Sequence, residues 1–399
     1  MNPKQKEKIL ILGAGIYQVP LIKKARELGY YVIVVSINGN YPGFAFADKI
    51  YYENTRDEEK ILEIAQSEGV EGIVTGGTDV ALRSVGKVVD ALKLKGPSSE
   101  STTLTCDKML MKKALINGGV RTPKYIEAKN LDDCHLAFDQ LALPIIFKAV
   151  DSSGSRGIVK VTDRAEINGA YKEVMEVTNK DYFIIEEFIE GVEFGAQSFV
   201  LNGKQLFTMA HGDMLYKGKI TVPIGHYVPY DLDHKAERDM ELQLSLSIKA
   251  LGIDNTAINA DFIMRDGQVY VLEIGARSGA TCLPELVSIH YQFDYYAFII
   301  QTAMNKNGSF TILDKKPCAA ELMISEKEGV LDKVESDIRN HQEIVDFSID
   351  YQQGEYIPKF RVGPDRIGQI IVKGETLDST LEFLNEVKNN VRIELKQIK

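Results

Sequence analysis

Asp261 and Glu273 lie in the apolar runs Ala260-Asp261-Phe262-Ile263 and Val271-Leu272-Glu273-Ile274, on either side of the turn Arg265-Asp266-Gly267-Gln268. Pairing across that turn brings the two carboxylates close together on a half-buried sheet. Such anions repel unless a cation sits between them. Hard oxygen donors of this kind suit Mg2+ or Mn2+ shared with phosphate, and Arg277 is the alternative counter-charge. Lys148 ends another apolar run, Pro144 to Lys148, and Asp151-Ser152-Ser153-Gly154-Ser155-Arg156-Gly157 follows shortly after. A lysine among buried apolar neighbours calls for an anion. Small residues let backbone N–H groups approach that anion, while hydroxyls and Arg156 add donors. The lysine precedes the glycines, so this is not a Walker A loop. Ile184 to Glu193 reads on its own as a strand ending in a solvated acidic turn.

Elements must hold these groups in place. Lys8–Leu12, Tyr31–Ser36 and Gly72–Thr75 read as strands, and Pro20–Leu28, Asp57–Glu68 and Val80–Leu92 as helices. That alternation implies parallel βαβ units. The Gly13-Ala14-Gly15 turn hints at a dinucleotide site, but Gln18 stands where the third glycine belongs. Ser36-Ile37-Asn38 likewise replaces the ribose-binding acid, so NAD is disfavoured. A boundary is expected at Gly96–Ser101, followed by a helix over Thr105–Asn117. Strands are expected at Ile145–Ala149, Ile158–Val161, Tyr182–Glu186, Gly195–Leu201, Phe207–Ala210, Ala257–Met264 and Gln268–Ile274. Hairpin turns among them indicate antiparallel sheet. Met214–Asp233, rich in glycine and proline, is expected to be a mobile loop. Strands and a final helix, Leu377–Asn389, close the chain.

Composition narrows the function classes. The 399 residues carry 47 Lys+Arg against 57 Asp+Glu, a net charge of −10, which disfavours bulk binding to nucleic acid or anionic membrane. The 4 cysteines form no CxxC pair and the 6 histidines show no ligand spacing, so a disulfide framework or structural zinc is not expected. A reducing cytoplasm is the expected compartment. No apolar run approaches the ~20 residues that span a bilayer, and none has the form of a signal peptide.

In this order and spacing, these segments resemble the ATP-grasp superfamily, in a branch similar to L-amino acid ligases. The resemblance runs over nearly the whole chain, to Asp365-Arg366-Ile367-Gly368-Gln369. It implies a mixed α/β and α+β fold. Residues 1–97 would form a Rossmann-like domain and 98–309 the ATP-grasp domain, with a lid at about 122–188 and the catalytic core after it. Residues 310–399 would form a small C-terminal α/β subdomain. Lys108 and Lys148 correspond to phosphate-contacting lysines, and Ser153, Gly154, Ser155, Arg156 and Gly157 to the loop over the phosphates. Glu186, Glu187, Phe188 and Ile189 correspond to the hinge that reads adenine, and Glu193 to the ribose acid. Asp261 and Glu273 correspond to magnesium ligands, and Arg277 to the arginine at the γ-phosphate. Related chains usually carry Glu-x-Asn-x-Arg, whereas Gly275 occupies the asparagine position here. Ile224-Gly225-His226-Tyr227-Val228-Pro229 also resembles the L-amino acid ligase branch and places His226 near substrate.

The implied cofactors are ATP and Mg2+ (or Mn2+). The implied reaction joins a small carboxylate to a small amine through an acyl phosphate, with catalytic roles for Lys148, Arg277 and His226. Amino-acid-like or aminosugar-like substrates are expected, and a homodimer is the expected assembly. Bicarbonate activation, as in carbamoyl-phosphate synthase or biotin carboxylase, is the alternative, and a non-catalytic ATP-binding scaffold is a third reading.

Overall fold

Strand β1 (Lys8–Leu12) is apolar throughout its centre because both of its faces are covered. After α1 (Val19–Glu27) come β2 (Tyr31–Ser36), β3 (Lys49–Tyr52), α2 (Glu58–Glu68), β4 (Gly72–Val74) and α3 (Leu82–Leu92). The four strands pair in parallel in the order β3-β2-β1-β4. Ile9, Ile11, Val32 and Val34 pack with Leu21, Ile22 and Ala25 of α1 on one face. Leu10, Leu12, Ile33 and Val35 pack with α2 and α3 on the other. Gln18 lies over Gly13, which has φ +96°, and its Nε2 donates to the Gly76 carbonyl at 2.6 Å. It thereby ties together the turns that follow β1 and β4. The computed structural model describes residues 6–152, 156–217, 221–306, 310–311, 313–338 and 340–396.

Two helices, α4 (Ser99–Cys106) and α5 (Lys108–Asn117), replace the single helix expected over Thr105–Asn117. The break falls at Asp107, whose backbone is extended (φ −129°, ψ 112°) and whose carboxylate accepts from the N–H groups of Met109 and Leu110 at 2.9 and 3.1 Å. An aspartate N-cap outweighs helix continuation here. The next sheet holds β5 (Tyr125–Ala128), β6 (Ile145–Lys148), β7 (Ile158–Val161) and β8 (Phe183–Glu187) in the order β5-β8-β6-β7. Helices α6 (Leu131–Gln140) and α7 (Ile167–Val177) cover the face bearing Ile145, Phe147, Phe183 and Ile185. By alternation Lys148 and Glu186 point to the opposite face.

The largest sheet begins with β9 (Val192–Leu201), β10 (Lys204–Lys217) and β11 (Thr221–Val228). It continues after α8 (His234–Ala250) with β12 (Thr256–Arg265) and β13 (Gln268–Gly275). Helices α9 (Leu283–Tyr291) and α10 (Tyr295–Ala303) lead to β14 (Cys318–Met323), β15 (Gly329–Glu335), β16 (Ile344–Ile349), β17 (Tyr356–Ile357) and β18 (Gly368–Lys373). Helix α11 (Leu377–Asn390) and β19 (Arg392–Lys396) follow. The order is β13-β12-β9-β10-β11-β14-β18-β16, with β17-β15-β19 as a small separate sheet. Phe194, Ala196, Ile258, Ala260 and Phe262 pack on α5 and α8, which leaves Gln197, Asn259 and Asp261 on the other face.

The loop expected over Met214–Asp233 is instead mostly strand. Its described parts extend β10 and form β11, rich in β-branched and aromatic residues. Gly225 is needed there, because a Cβ would lie 2.3 Å from the Ala320 carbonyl of β14. Among the described residues no helix is long and apolar enough to cross a membrane.

Candidate active site

The antiparallel ladder places Asp261 directly opposite Glu273, opposite Gly195 on its other side, and Gly195 opposite His211. Directly paired residues share a face, so one row across the sheet carries both acids. Asp261 is open to the cleft by area, yet protein surrounds that cleft. Burial, then Glu273 and Asp213, push its carboxyl up to about 7. This acidic pair offers only oxygen donors, so the chemistry of the set fits a hard divalent cation. Lys108 approaches Glu273 at 3.1 Å and donates to the Ser152 carbonyl at 2.7 Å. Burial alone would lower the Lys108 ammonium, but Glu273 more than offsets it and holds it above its ordinary range.

Glu186 is buried (2 % exposed) between two lysines, with Lys148 Nζ at 2.7 Å and Lys112 Nζ at 3.2 Å. Burial would raise its carboxyl, but the two ammonium groups prevail and hold it low. Lys112 is itself pulled down, chiefly by burial. Sequence reading missed Lys112, though its place four residues after Lys108 puts both on one side of α5. Glu187 is half-buried at the end of β8, and the Phe188 N–H donates to the Pro144 carbonyl at 2.9 Å. Ile189 is buried, and Glu193 is exposed on β9. The main chain of Glu186 to Ile189 thus crosses from the four-stranded sheet toward the eight-stranded one.

Gly157 has φ +67°, and its carbonyl accepts from the Ala149 N–H at 2.9 Å, closing the base of the loop after β6. Arg156 lies at that base, and Ser153, Gly154 and Ser155 fall outside the described residues. A cavity of about 410 Å3 is lined by Asp107, Lys108, Ser152, Arg156, Asp79 and Glu273, so cationic groups and the acidic hairpin face one space. A second, larger cavity of about 1220 Å3 adjoins it at Arg56 and Val80. That cavity reaches from the Gly13–Gly15 turn to Arg366.

Arg277 does not neutralise the hairpin acids by direct bonds. Its Nε and Nη2 instead grip both carboxylate oxygens of Asp79, at 2.9 and 2.8 Å. Asp79 comes from the segment before α3, a partner that no local sequence signal indicates. Gly275 makes this possible, because a Cβ there would lie 3.0 Å from Asp79 Oδ1. Asn259 is paired with Gly275 in the ladder and brings its amide within 3.4 Å of Asp261. An amide thus stands next to the position where related chains carry asparagine. His226 is buried (4 % exposed) on β11, with Nδ1 2.7 Å from Asp213.

Residues 141–285 match the ATP-grasp domain, and residues 321–396 match the L-amino acid ligase C-terminal domain 2. A solved phosphoribosylglycinamide synthetase from Anaerococcus prevotii is 35% identical, with a TM-score of 0.86 over 98% of this chain and 100% of that one. The chain belongs to the ATP-grasp superfamily. The L-amino acid ligase from Bacillus licheniformis shares the ATP-grasp fold at 18% identity, with a TM-score of 0.81 over 99% of this chain and 100% of that one. A formate-dependent phosphoribosylglycinamide formyltransferase from Methanocella arvoryzae is 26% identical over 223 residues, 55% of this chain. The ATP-grasp chain spans only half the length of that relative, 50%.

Proposed function

We propose that this ATP-grasp ligase joins a small carboxylate to a small amine, releasing ADP and phosphate. The observation that carries this reading is a cavity lined by Lys108, Arg156, Asp79 and Glu273, with Asp261 paired to Glu273 across the hairpin and Arg277 bound to Asp79. The relatives' names, a phosphoribosylglycinamide synthetase, an L-amino acid ligase and a formate-dependent formyltransferase, support the same substrate classes.

A carboxylate resists amines because its oxygen is a poor leaving group. Transfer of the γ-phosphoryl group of ATP to that oxygen gives an acyl phosphate, which an amine can open. The two anionic reactants repel, so the cleft must supply positive charge where negative charge gathers. Lys108 and Lys148 would meet the phosphates, and Glu186 holds Lys148 in place. Arg277 would leave Asp79 to meet the transferred group. Asp261 and Glu273 would hold Mg2+ (or Mn2+), which when bound neutralises phosphate charge. Ser153 to Gly157 would close over the phosphates and exclude water, which would otherwise hydrolyse the intermediate. The backbone from Glu186 to Ile189 would read adenine, and Glu193 the ribose. His226 would accept a proton from the attacking amine. The larger cavity, about 1220 Å3, has room for the carboxylate and the amine.

Amino-acid-like or aminosugar-like substrates fit this reading, as do the three-part division at 97/98 and 309/310, a homodimer and a cytoplasmic setting. An ADP-release screen of purified protein against paired acids and amines, with mass detection of products, tests it. ADP formed with an acid but never any amide would sink the ligase reading. ADP release that depends on bicarbonate would favour the carboxylase-like alternative.

A further inference from the structure

His211, Asp213 and His226 form a cluster beside the acidic hairpin. Asp213 Oδ1 lies 3.0 Å from Nδ1 of His211 and 2.7 Å from Nδ1 of His226. The two rings stand edge to face, 5.0 Å apart. The His211 ring lies over Gly195, where a Cβ would come within 2.4 Å of its Nε2. That Nε2 is enclosed and has no hydrogen-bond partner among the described residues. The Asp213 carboxyl is held far below its ordinary range: burial opposes this, but its two histidine partners prevail.

Three such ligands also suit a transition metal, since their donor atoms lie within 4.8 Å of one another. The enclosed Nε2 decides between the two readings. A metal on Nδ1 would force the ring proton onto Nε2, and in His211 that N–H would be buried without an acceptor. Metal-bound histidines normally donate that second N–H to a partner. With hydrogen bonds instead, both protons sit on Nδ1, where the carboxylate accepts them, and both Nε2 atoms carry lone pairs.

We propose that Asp213 and His211 are positioning residues for His226. Asp213 holds His226 in the Nδ1–H tautomer, and His211, as the second donor, fixes the carboxylate. Nε2 of His226 is then the base for the amine. The inference rests on the ligase reading above. At neutral pH the amine arrives as an ammonium ion, and one of its protons passes to Nε2. The freed lone pair attacks the acyl carbon and the C–N bond forms. The bond from that carbon to the phosphate oxygen breaks, and its electron pair leaves with phosphate. The departing phosphate takes the second nitrogen proton, which completes the amide. The strand pairing supports this placement, because only Gly195 separates His211 from Asp261 in the row.

The test uses the full chain labelled with 15N-histidine, with signals assigned through His226→Gln and His211→Gln. Both rings are expected as Nδ1–H tautomers, and Asp213→Asn is expected to release His226 from that form. An Nε2–H tautomer at His226 in the wild type overturns the proposal. So does a stoichiometric transition metal in the purified protein that Asp213→Asn removes. In turnover, L-amino acids serve as acid probes and as amines, and hydroxylamine serves as an amine that is largely unprotonated at neutral pH. Asp213→Asn is expected to slow amide formation about 100-fold or more while hydroxamate forms at near the wild-type rate. Equal loss of both reactions reduces Asp213 to a purely structural part and refutes the inference. Wild-type protein that releases no ADP with any acid sinks the ligase reading and the base role of His226 with it. The tautomers would still decide whether Asp213 positions that ring.

Discussion

Replacing Gly275 by asparagine, the residue more usual at this place in related chains, should destabilise this protein. A Cβ at 275 would lie 3.0 Å from Asp79 Oδ1 and 3.4 Å from Arg277 Cζ. A methyl group alone forces its neighbours to give by a few tenths of an ångström, and overpacking of that kind costs about 1 kcal/mol. An amide reaches farther and competes with Asp79 for its seat. The side chains of Arg277 and Asp79 are 14% and 19% exposed, so the pair is largely desolvated. Separating a fully buried pair costs about 3–5 kcal/mol, and the residual exposure scales this to about 2–3 kcal/mol for Gly275→Asn. Urea unfolding of Gly275→Asn, Asp79→Asn and the double variant measures it. Because Asp79 is the obstacle, asparagine at 275 should cost little once the carboxylate is gone, giving a coupling of about 2 kcal/mol between the sites. Strictly additive costs, or a Gly275→Asn protein that unfolds at the wild-type midpoint, would show that Gly275 does not make room for this ion pair.

Lys112→Met leaves the buried Glu186 with Lys148 alone, and about 3 kcal/mol of stability should be lost together with affinity for ATP·Mg2+. Calorimetry that finds unchanged nucleotide affinity contradicts that role. Glu68 binds Lys49, Tyr51 and Lys8, which hold its carboxyl down at about 2. A carboxyl lowered by folding adds stability above its ordinary pKa and loses it as pH falls toward the folded value. Glu68→Gln should therefore cost about 1–2 kcal/mol at pH 7, allowing for the solvent around Lys49, and almost nothing near pH 2. A pH-independent difference in urea midpoints would refute this. Asp261 has the opposite sign: burial and Glu273 push its carboxyl up to about 7, so it must shed a proton to bind a cation. Thermal stabilisation by ATP·Mg2+ should grow as pH rises through 7 and level off about one unit above it, and Asp261→Asn should flatten that rise.

Part of the site's geometry was legible because it lies in short-range patterns. The carboxylates at 261 and 273 face each other through a one-residue shift in the ladder between Asp261 and Phe262, since even pairing from the turn would set Leu272 opposite Asp261. Lys148 found its buried anion, although that anion is Glu186 from the neighbouring strand. Asp79 was not legible, because its contact with Arg277 spans 198 residues and depends on a glycine vacating space. The helix expected across Asp107 was broken by one side chain that caps better than it continues. The Met214–Asp233 segment misled for a related reason: its glycine and proline suggested a loop, while strand pairing with β14 governs its form. Glycine there signals close backbone approach, a property of the partner strand rather than of the local sequence.

That ladder between β11 and β14 ties the far end of the chain to His226. His226 pairs with Ala320, and β14 is hydrogen-bonded in turn to β18. Part of the C-terminal portion is thus joined by backbone pairing to the strand that carries the imidazole. Substitutions on β14 or β18 can therefore shift the imidazole without touching it. A chimera that exchanges the C-terminal portion between relatives would inherit a different histidine position along with it.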